Sequence, residues 1–275
     1  MTPLSKQDFS KLLNLGLEFE WLCNREAALL EMWVKAGQDS NKKKLIEYLI
    51  RHFLYVDSNK ASQFCDEIAN HVVNEWKLKA ENTFLVATCD NSRPDGSQVI
   101  VQKLKNRFPD DWREFDFINS IVEAAHLLNS HDNLILCDDF IGTGDTMNRK
   151  INYLINTFKK RAVEDVHIFI IAFAAMNFSL CTLSNYPIYV CEKLPKGLTD
   201  TLTGNNLLIA TKIMEDLESS LKPKIRKRCL PHFGYKKSES LFNFEDDNIP
   251  NNVFPIFWWN RYVDNKKRQT MFKRV

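Results

Sequence analysis

The chain lacks the residue patterns on which several common functional sites depend. Its seven cysteines are scattered and include no Cys-x-x-Cys pair, and no histidine falls at the spacing of a metal-binding pair. No apolar run approaches the length of about 18 residues that a membrane-spanning helix requires. The first residues show no charged-then-apolar signal pattern. We therefore expect reduced thiols, a cytoplasmic location, no zinc site and no membrane segment.

The chain also lacks a strong excess of charge of either sign. Its 37 Lys and Arg residues nearly balance 35 Asp and Glu residues, for a net charge of +2. A charge this small gives no general attraction to nucleic acid. Cations are nevertheless concentrated in two segments, 222–228 and 266–274. Such segments are usually solvated surface, and the alternative is a contact with nucleic acid or an acidic partner.

The apolar pattern divides the chain into three segments. Residues 1–80 have apolar residues at helical spacing and predict a helical N-terminal segment. Residues 81–195 alternate between strand-like and helix-like stretches, which predicts an α/β core with a parallel sheet flanked by helices. Residues 196–275 predict a helix over 206–221 and then a C-terminal hood, which contains a rigid aromatic segment at 250–259.

Within the α/β core the pattern predicts individual elements. Apolar and β-branched runs predict strands, and longer stretches with apolar residues three or four apart predict helices. Ser97 is the expected N-cap of the first of these helices. The predicted strands are 83–88, 133–137, 166–175 and 188–191, and the predicted helices are 97–108, 111–129 and 147–162.

The most informative segment is 134–146, which reads Leu-Ile-Leu-Cys-Asp-Asp-Phe-Ile-Gly-Thr-Gly-Asp-Thr. A buried strand runs into Asp138 and Asp139, then into a short loop and a helix. Helix N-termini present N–H groups and a positive dipole end to anions. The loop has two glycines, which permit close approach and positive φ, and two threonines, whose hydroxyls can donate to phosphate oxygens. The residues are Gly142, Thr143, Gly144, Asp145 and Thr146.

These residues together predict a site for a phosphorylated sugar. The two carboxylates suit vicinal ribose hydroxyls and a Mg²⁺ ion shared with a second phosphate group. The loop has no Gly-Lys-Ser/Thr triplet, which excludes a P-loop. The alternative is a strand end followed by ordinary helix capping, with Asp145 or Thr146 as the N-cap.

The segment Asp-Asp-Phe-Ile-Gly-Thr-Gly-Asp-Thr resembles the phosphoribosyl pyrophosphate motif of type I phosphoribosyltransferases. The resemblance implies that Asp138 and Asp139 act as the catalytic and metal-binding acids and bind the ribose hydroxyls. It also implies that residues 142–146 cradle the 5′-phosphate. The chain departs from many catalytic members at Gly142, where those members carry Thr, Ser or an acid. The resemblance therefore leaves the nucleophile-activating residue unassigned.

A second polar loop, at 89–96, follows the first predicted strand of the core. In type I phosphoribosyltransferases the loop at this place grips pyrophosphate, which implies a substrate-binding role for Arg93, Gly96 and Ser97. The alternative is that Pro94-Asp95-Gly96 forms an ordinary turn.

Over most of its length the chain also resembles phosphoribosyltransferase-like proteins that accompany bacterial defence systems such as retrons. The similar stretches are the acidic motif, Pro-Asp-Gly-Ser at 94–97 and the aromatic segment at 250–258. This resemblance implies a toxic effector in antiphage defence, held in check by a protein or ribonucleoprotein partner. Three hypotheses stay open: a ribose-phosphate transferase or nucleotide-cleaving enzyme, a non-catalytic nucleotide sensor, and a nucleic-acid or partner-binding module.

Overall fold

A computed structural model describes residues 4–90, 96–113 and 116–274 of the chain. The helices are α1 Lys6–Glu18, α2 Glu26–Lys35, α3 Ser40–Arg51, α4 Ser58–Asn70, α5 Gly96–Leu104, α6 Ile121–Leu127, α7 Asp145–Lys160, α8 Asn177–Leu180 and α9 Gly204–Ser219. The strands are β1 Leu54–Val56, β2 Thr83–Ala87, β3 Phe117–Ile118, β4 Asn133–Ile141, β5 His167–Met176, β6 Ile188–Leu194, β7 Lys224–Ile225, β8 Arg228–Cys229 and β9 Phe242–Phe244. Within the described ranges, no helix is both long enough and apolar enough to cross a membrane.

The chain forms two compact units. The first joins Met1–Tyr55 to Pro195–Val275, and the second is Val56–Leu194. These units cut across the three consecutive segments expected from the sequence, because both ends of the chain contribute to one unit and α4 belongs to the other. The division into a helical N-terminal segment, an α/β core and a C-terminal hood stays a prediction.

The second unit is built around a parallel five-stranded sheet. Its strand order is β3-β2-β4-β5-β6, and every neighbouring pair is parallel. The predicted fold class, an α/β protein with a parallel sheet flanked by helices, is confirmed. From β2 the chain moves to β3 on one side of the sheet, and then crosses back to β4 on the other side of β2. The strand order therefore reverses between β2 and β4. In open parallel sheets the crevice at such a reversal is the usual ligand site.

Helices cover both faces of this sheet. The apolar cluster that contains α6 and α7 takes Leu134 and Leu136 from β4. The buried residues of α4 and α5 lie outside that cluster, and Phe64 of α4 packs on Phe173 of β5 with ring centres 5.5 Å apart. Successive strand residues point to opposite faces, so alternate positions of one apolar strand serve the two layers.

The predicted helix over 111–129 is wrong in its first half. Phe117 and Ile118 instead form β3, paired with Leu85 and Val86 of β2. The helix begins only at Ile121, after the N-cap Ser120, whose hydroxyl accepts a hydrogen bond from the Glu123 amide at 3.1 Å. Strand pairing with a distant segment therefore prevails over local helical spacing, and the Ser-x-x-Glu capping pattern marks the true start.

Several further boundaries differ from the prediction, and two of them bear on the candidate site. Ser97 lies inside the first turn of α5, which begins at Gly96, and is not its N-cap. The strand predicted to end at Cys137 continues to Ile141, because β4 pairs with the longer β5 as far as Ala175. The two acids of the motif therefore lie within the strand itself, near its end, and not in the loop that follows it.

The first unit is helical and has an aromatic core. Trp33 and Leu49 lie in one apolar cluster with residues of α9 and the C-terminal part of the chain. The aromatic segment 250–259 supplies Phe254, Phe257, Trp258 and Trp259 to this cluster, and all four are buried. The segment 250–259 is therefore part of the core of this unit.

Candidate functional site

The candidate site lies at the carboxyl ends of the neighbouring strands β2 and β4. β2 pairs with β4 up to Ala87 opposite Cys137, and the Thr88 amide then donates to the Cys137 carbonyl at 3.2 Å. The loop after β2 leads to α5, and the loop after β4 leads to α7. Both loops therefore leave the same edge of the sheet at the crevice where the strand order reverses.

Asp138 and Asp139 occupy adjacent positions near the end of β4. Both are half-buried, and the Asp139 amide donates to Asp138 Oδ1 at 3.1 Å. The partial exposure leaves the carboxylates accessible to a ligand while the surrounding strand residues are buried. Carboxylates fixed in this way at a strand end suit sugar hydroxyls or a hydrated cation.

The loop from β4 to α7 is closed by a left-handed glycine. Gly144 has φ 80° and ψ −12° and is the N-cap of α7, so neither Asp145 nor Thr146 caps the helix as the alternative required. The Thr143 hydroxyl donates to Asp145 Oδ2 at 2.9 Å. Positive φ, expected at both loop glycines, is found at Gly144 and not at Gly142. Gly144 itself is buried.

The residues after β5 hold this loop in place. Ser179, which is fully buried, shares its one hydroxyl proton between the Met176 carbonyl at 2.7 Å and the Ile141 carbonyl at 3.3 Å. Thr182 lies against Gly144, and its hydroxyl donates to the Ser179 carbonyl at 2.7 Å. Our sequence reasoning missed these residues. The available signal was weak: a few polar residues, Asn177, Ser179 and Thr182, stand among apolar ones just after the next parallel strand.

The second loop is described only in part. Arg93 lies outside the described residues, while Gly96 and Ser97 are buried at the start of α5. At the end of β2 the Thr88 hydroxyl is fully buried and has no hydrogen-bond partner within the described ranges. The N-termini of α5 and α7 thus follow neighbouring strands, the arrangement expected of two phosphate loops.

The acids fit a magnesium ion only if the substrate supplies further ligands. Among the described residues, no three His, Cys, Asp or Glu side chains form a group that could hold a metal. Magnesium commonly binds proteins through one or two carboxylates, and substrate phosphates with water complete its shell. Asp138 and Asp139 match that kind of donor set.

The two basic segments differ in exposure. The first forms the short hairpin of β7 and β8, whose Arg226 and Arg228 are exposed. In the second, Arg268 is buried and donates to the carbonyls of Trp259 and Ile256, and Arg274 lies over the Trp258 ring. Burial lowers the pKa of both arginines. Part of the second segment therefore stabilises the first unit and is not a free basic surface.

Comparisons with known proteins identify a family. The model of the PRTase-CE family matches residues 20–274. No curated protein matches the chain. A hypothetical protein from Neisseria gonorrhoeae with bound ppGpp is 7% identical, with a TM-score of 0.37, over 52% of this chain and 85% of that one.

Two phosphoribosyltransferases of known structure are similarly distant. The adenine phosphoribosyltransferase from Thermoanaerobacter pseudethanolicus is 15% identical, with a TM-score of 0.31, over 50% of this chain and 83% of that one. The hypoxanthine phosphoribosyltransferase from Trypanosoma cruzi, complexed with IMP, is 13% identical, with a TM-score of 0.34, over 52% of this chain and 76% of that one.

Proposed function

We propose that this chain, which belongs to the PRTase-CE family, binds phosphoribosyl pyrophosphate or a related nucleotide through the loop Asp138–Thr146. The observation that carries the proposal is the position of this loop. It joins two half-buried acids to a helix N-terminus through the left-handed Gly144, at the crevice where the strand order reverses. That crevice is where open parallel sheets bind ligands.

Each part of the ligand has a proposed partner. Asp138 and Asp139 would accept hydrogen bonds from the ribose hydroxyls and are the residues that would hold a magnesium ion. The loop from Gly142 to Thr146 binds the 5′-phosphate with backbone N–H groups and threonine hydroxyls. Arg93, with Gly96 and Ser97 at the start of α5, grips the pyrophosphate end.

If the chain is a transferase, its residues act mainly by positioning and by electrostatics. Pyrophosphate leaves the anomeric carbon with the bonding electron pair as positive charge develops on the sugar, an acceptor nucleophile forms the new bond at that carbon, and cations stabilise the leaving group. Bound Mg²⁺ would supply part of that positive charge. Asp138 and Asp139 would hold the ribose in line with the departing group, and no general base need come from the chain for this step.

A second candidate is a non-catalytic sensor. Many catalytic members of type I phosphoribosyltransferases carry a polar side chain where this chain has Gly142, and a position without a side chain cannot activate a nucleophile. A sensor would bind the same ligand without turnover. Release of pyrophosphate from phosphoribosyl pyrophosphate in the presence of candidate acceptors, followed by ³¹P NMR, separates the two: turnover supports the enzyme, and binding without turnover supports the sensor.

We further propose that the chain acts as a toxic effector in bacterial antiphage defence, with a protein or ribonucleoprotein partner that restrains it. The support is its resemblance to retron-associated proteins over the motifs at 94–97, 138–146 and 250–258. Growth arrest on expression of the wild type, relieved by Asp138→Asn with Asp139→Asn, is the expected result. A module that binds nucleic acid through 222–228 would instead show salt-dependent binding of RNA or DNA.

Calorimetric titration with phosphoribosyl pyrophosphate and Mg²⁺ tests ligand binding directly. We expect the wild type to bind and the variant with both Asp138→Asn and Asp139→Asn to lose most of its affinity. The matched control is Asp165→Asn, an exposed carboxylate just before the amino end of β5, at the opposite edge of the sheet. Equal affinity in all three proteins, or no binding by the wild type, would contradict the proposal.

A further inference from the structure

Two basic segments of the first unit, 222–228 and 261–267, are brought together by the fold. Just after α9, the Lys222 amide donates to the Arg261 carbonyl at 3.0 Å. The Lys222 ammonium group donates to Asn265 Oδ1 at 2.7 Å, across 43 residues of sequence. The two segments therefore start side by side, and we call them together the basic surface.

The basic surface carries positive charge that the chain does not neutralise. Segment 222–228 contains five cations and no acid, and segment 261–267 contains three cations and one acid, Asp264. Asp264 pairs with Lys266 at 2.9 Å. Five other cations of the surface are exposed and have no ion-pair partner among the described residues: Lys224, Arg226, Lys227, Arg228 and Lys267.

The loop between β7 and β8 places an arginine where folding favours glycine. The loop consists of two residues, Arg226 and Lys227. Arg226 has φ 53°, in the left-handed region, and two-residue hairpin loops usually hold asparagine or glycine at such positions. The arginine therefore costs backbone energy, and it gains no ion pair among the described residues in return. A local cost of this kind is typical of residues that serve binding.

Like charges also approach each other at β8. Burial lowers the pKa of Arg274, and the positive charge of Arg228 lowers it further. Arg274 is fixed in place, because it donates to the Ile249 carbonyl and its guanidinium group lies 5.6 Å from the centre of the Trp258 ring. An anion bound at the exposed Arg228 would reduce the repulsion between the two arginines.

The distribution of charge indicates what kind of anion fits. Guanidinium groups bind phosphate oxygens in bidentate geometry. One phosphate group engages one or two cations, whereas a polymer with a phosphate in every unit can neutralise both segments at once. The backbone of a nucleic acid has this regular charge, and a protein segment would need an unbroken run of acids to match it.

We propose that the basic surface binds the phosphate backbone of a nucleic acid. The contacts are electrostatic, so the affinity depends strongly on salt and weakly on base sequence. The surface lies in the first unit and the loop Asp138–Thr146 lies in the second. The inference therefore does not depend on the proposed ligand of that loop, and one chain can hold both sites.

Fluorescence anisotropy of the full chain over a range of salt concentrations tests the proposal. The probes are a labelled single-stranded RNA of about 20 nucleotides and a labelled DNA duplex of the same length. We expect binding that weakens steeply as the salt concentration rises. Binding of only one probe would identify the kind of nucleic acid. Binding of neither probe at low salt, or binding that does not depend on salt, would overturn the proposal.

A hairpin variant measures the contribution of the first segment. The variant combines Arg226→Gln, Lys227→Gln and Arg228→Gln, all at exposed positions. Each lost phosphate contact reduces the slope of log affinity against log salt by about 0.7 on single-stranded RNA and about 0.9 on duplex DNA. We therefore expect the slope to fall by about 2 to 3, and an unchanged slope would overturn the proposal.

A second variant tests whether the two segments form one surface. Lys266→Gln with Lys267→Gln should reduce the slope by about 1 to 2. The matched control is Lys159→Gln with Lys160→Gln, two exposed lysines in the last turn of α7, which should leave binding unchanged. An equal loss in the control would show general charge attraction, and no loss in the 266–267 variant would show that the second segment takes no part. Either result would overturn the single surface.

Arg226→Gly separates binding from folding at the hairpin loop. Glycine accepts positive φ at no steric cost, so the free energy of unfolding should not fall. The affinity for nucleic acid should decrease about two- to fivefold, as expected for one exposed charge contact. Unchanged affinity together with lower stability would show that Arg226 serves the fold, and would overturn its assignment to binding.

Discussion

Replacing Gly144 with alanine gives the most detailed test of the phosphate loop. The residue has φ 80°, where a side chain costs about 1–2 kcal/mol. A Cβ atom would also collide with Thr182 Oγ1, whose hydroxyl donates to the Ser179 carbonyl. Displacing Thr182 would cost that hydrogen bond, about 1 kcal/mol, together with some packing. We therefore expect a total penalty of about 2–4 kcal/mol for keeping the loop in its observed shape.

The loop can avoid this penalty by moving to another shape. Ligand binding would then have to restore the observed shape, at the cost of the same penalty. An energy of 2–4 kcal/mol corresponds to a loss of affinity of about 30-fold to 1,000-fold. Calorimetric titration with phosphoribosyl pyrophosphate and Mg²⁺ measures this loss, and urea unfolding shows how much of the penalty appears as global stability. Unchanged affinity for Gly144→Ala would refute the argument that this loop shape binds the phosphate.

Two further variants separate strain from collision. Gly204→Ala places alanine at φ 53° with open space around its Cβ, so it should show only the backbone cost of about 1–2 kcal/mol in unfolding and no loss of ligand affinity. Adding Thr182→Ala to Gly144→Ala removes the colliding hydroxyl. The double variant should recover only the part of the lost ligand affinity that the collision causes. A double variant as weak in binding as Gly144→Ala would show that the collision contributes nothing.

Two other predictions concern stability. Ser179→Ala removes the buried hydroxyl that holds the Ile141 carbonyl and should lower the free energy of unfolding by about 1–2 kcal/mol, whereas Ser184→Ala, at an exposed hydroxyl, should change it by less than about 0.5 kcal/mol. Burial raises the pKa of Glu218 from its ordinary 4.5 to about 7, although the Phe233 amide and His232 contact its carboxylate. The folded state therefore binds the Glu218 proton more tightly than the unfolded state does. The resulting contribution to the free energy of unfolding is complete below pH 4.5 and is lost as the pH rises through 7. The loss should reach at most about 3 kcal/mol, and urea unfolding of Glu218→Gln between pH 4 and 8 should lack it.

The sheet and the position of the site could be predicted from the sequence because their signals are local. An apolar strand that runs into Asp138 and Asp139 and then into a glycine-containing loop identifies a strand, a turn and a helix in 13 consecutive residues. Parallel topology then places such a loop at the carboxyl edge of the sheet. The structure has this arrangement, while the ligand roles of the individual residues remain predictions.

The features that escaped prediction depend on distant parts of the chain. β3 exists because Phe117 and Ile118 pair with β2, about 30 residues earlier, and local spacing alone favoured a helix there. Ser179 supports the loop across 38 residues of sequence. Arg268 belongs to a basic run of the sequence, but its two terminal guanidinium nitrogens donate to carbonyls inside the first unit. In each case the deciding partner is not visible in the local pattern.

A crystal structure of the chain grown with phosphoribosyl pyrophosphate and Mg²⁺ would test the central claim most directly. We predict that the 5′-phosphate lies against the amides of residues 142–146, with the ribose hydroxyls on Asp138 and Asp139. Ligand density elsewhere in the chain, with the loop Asp138–Thr146 empty, would contradict the assignment of this loop as the binding site.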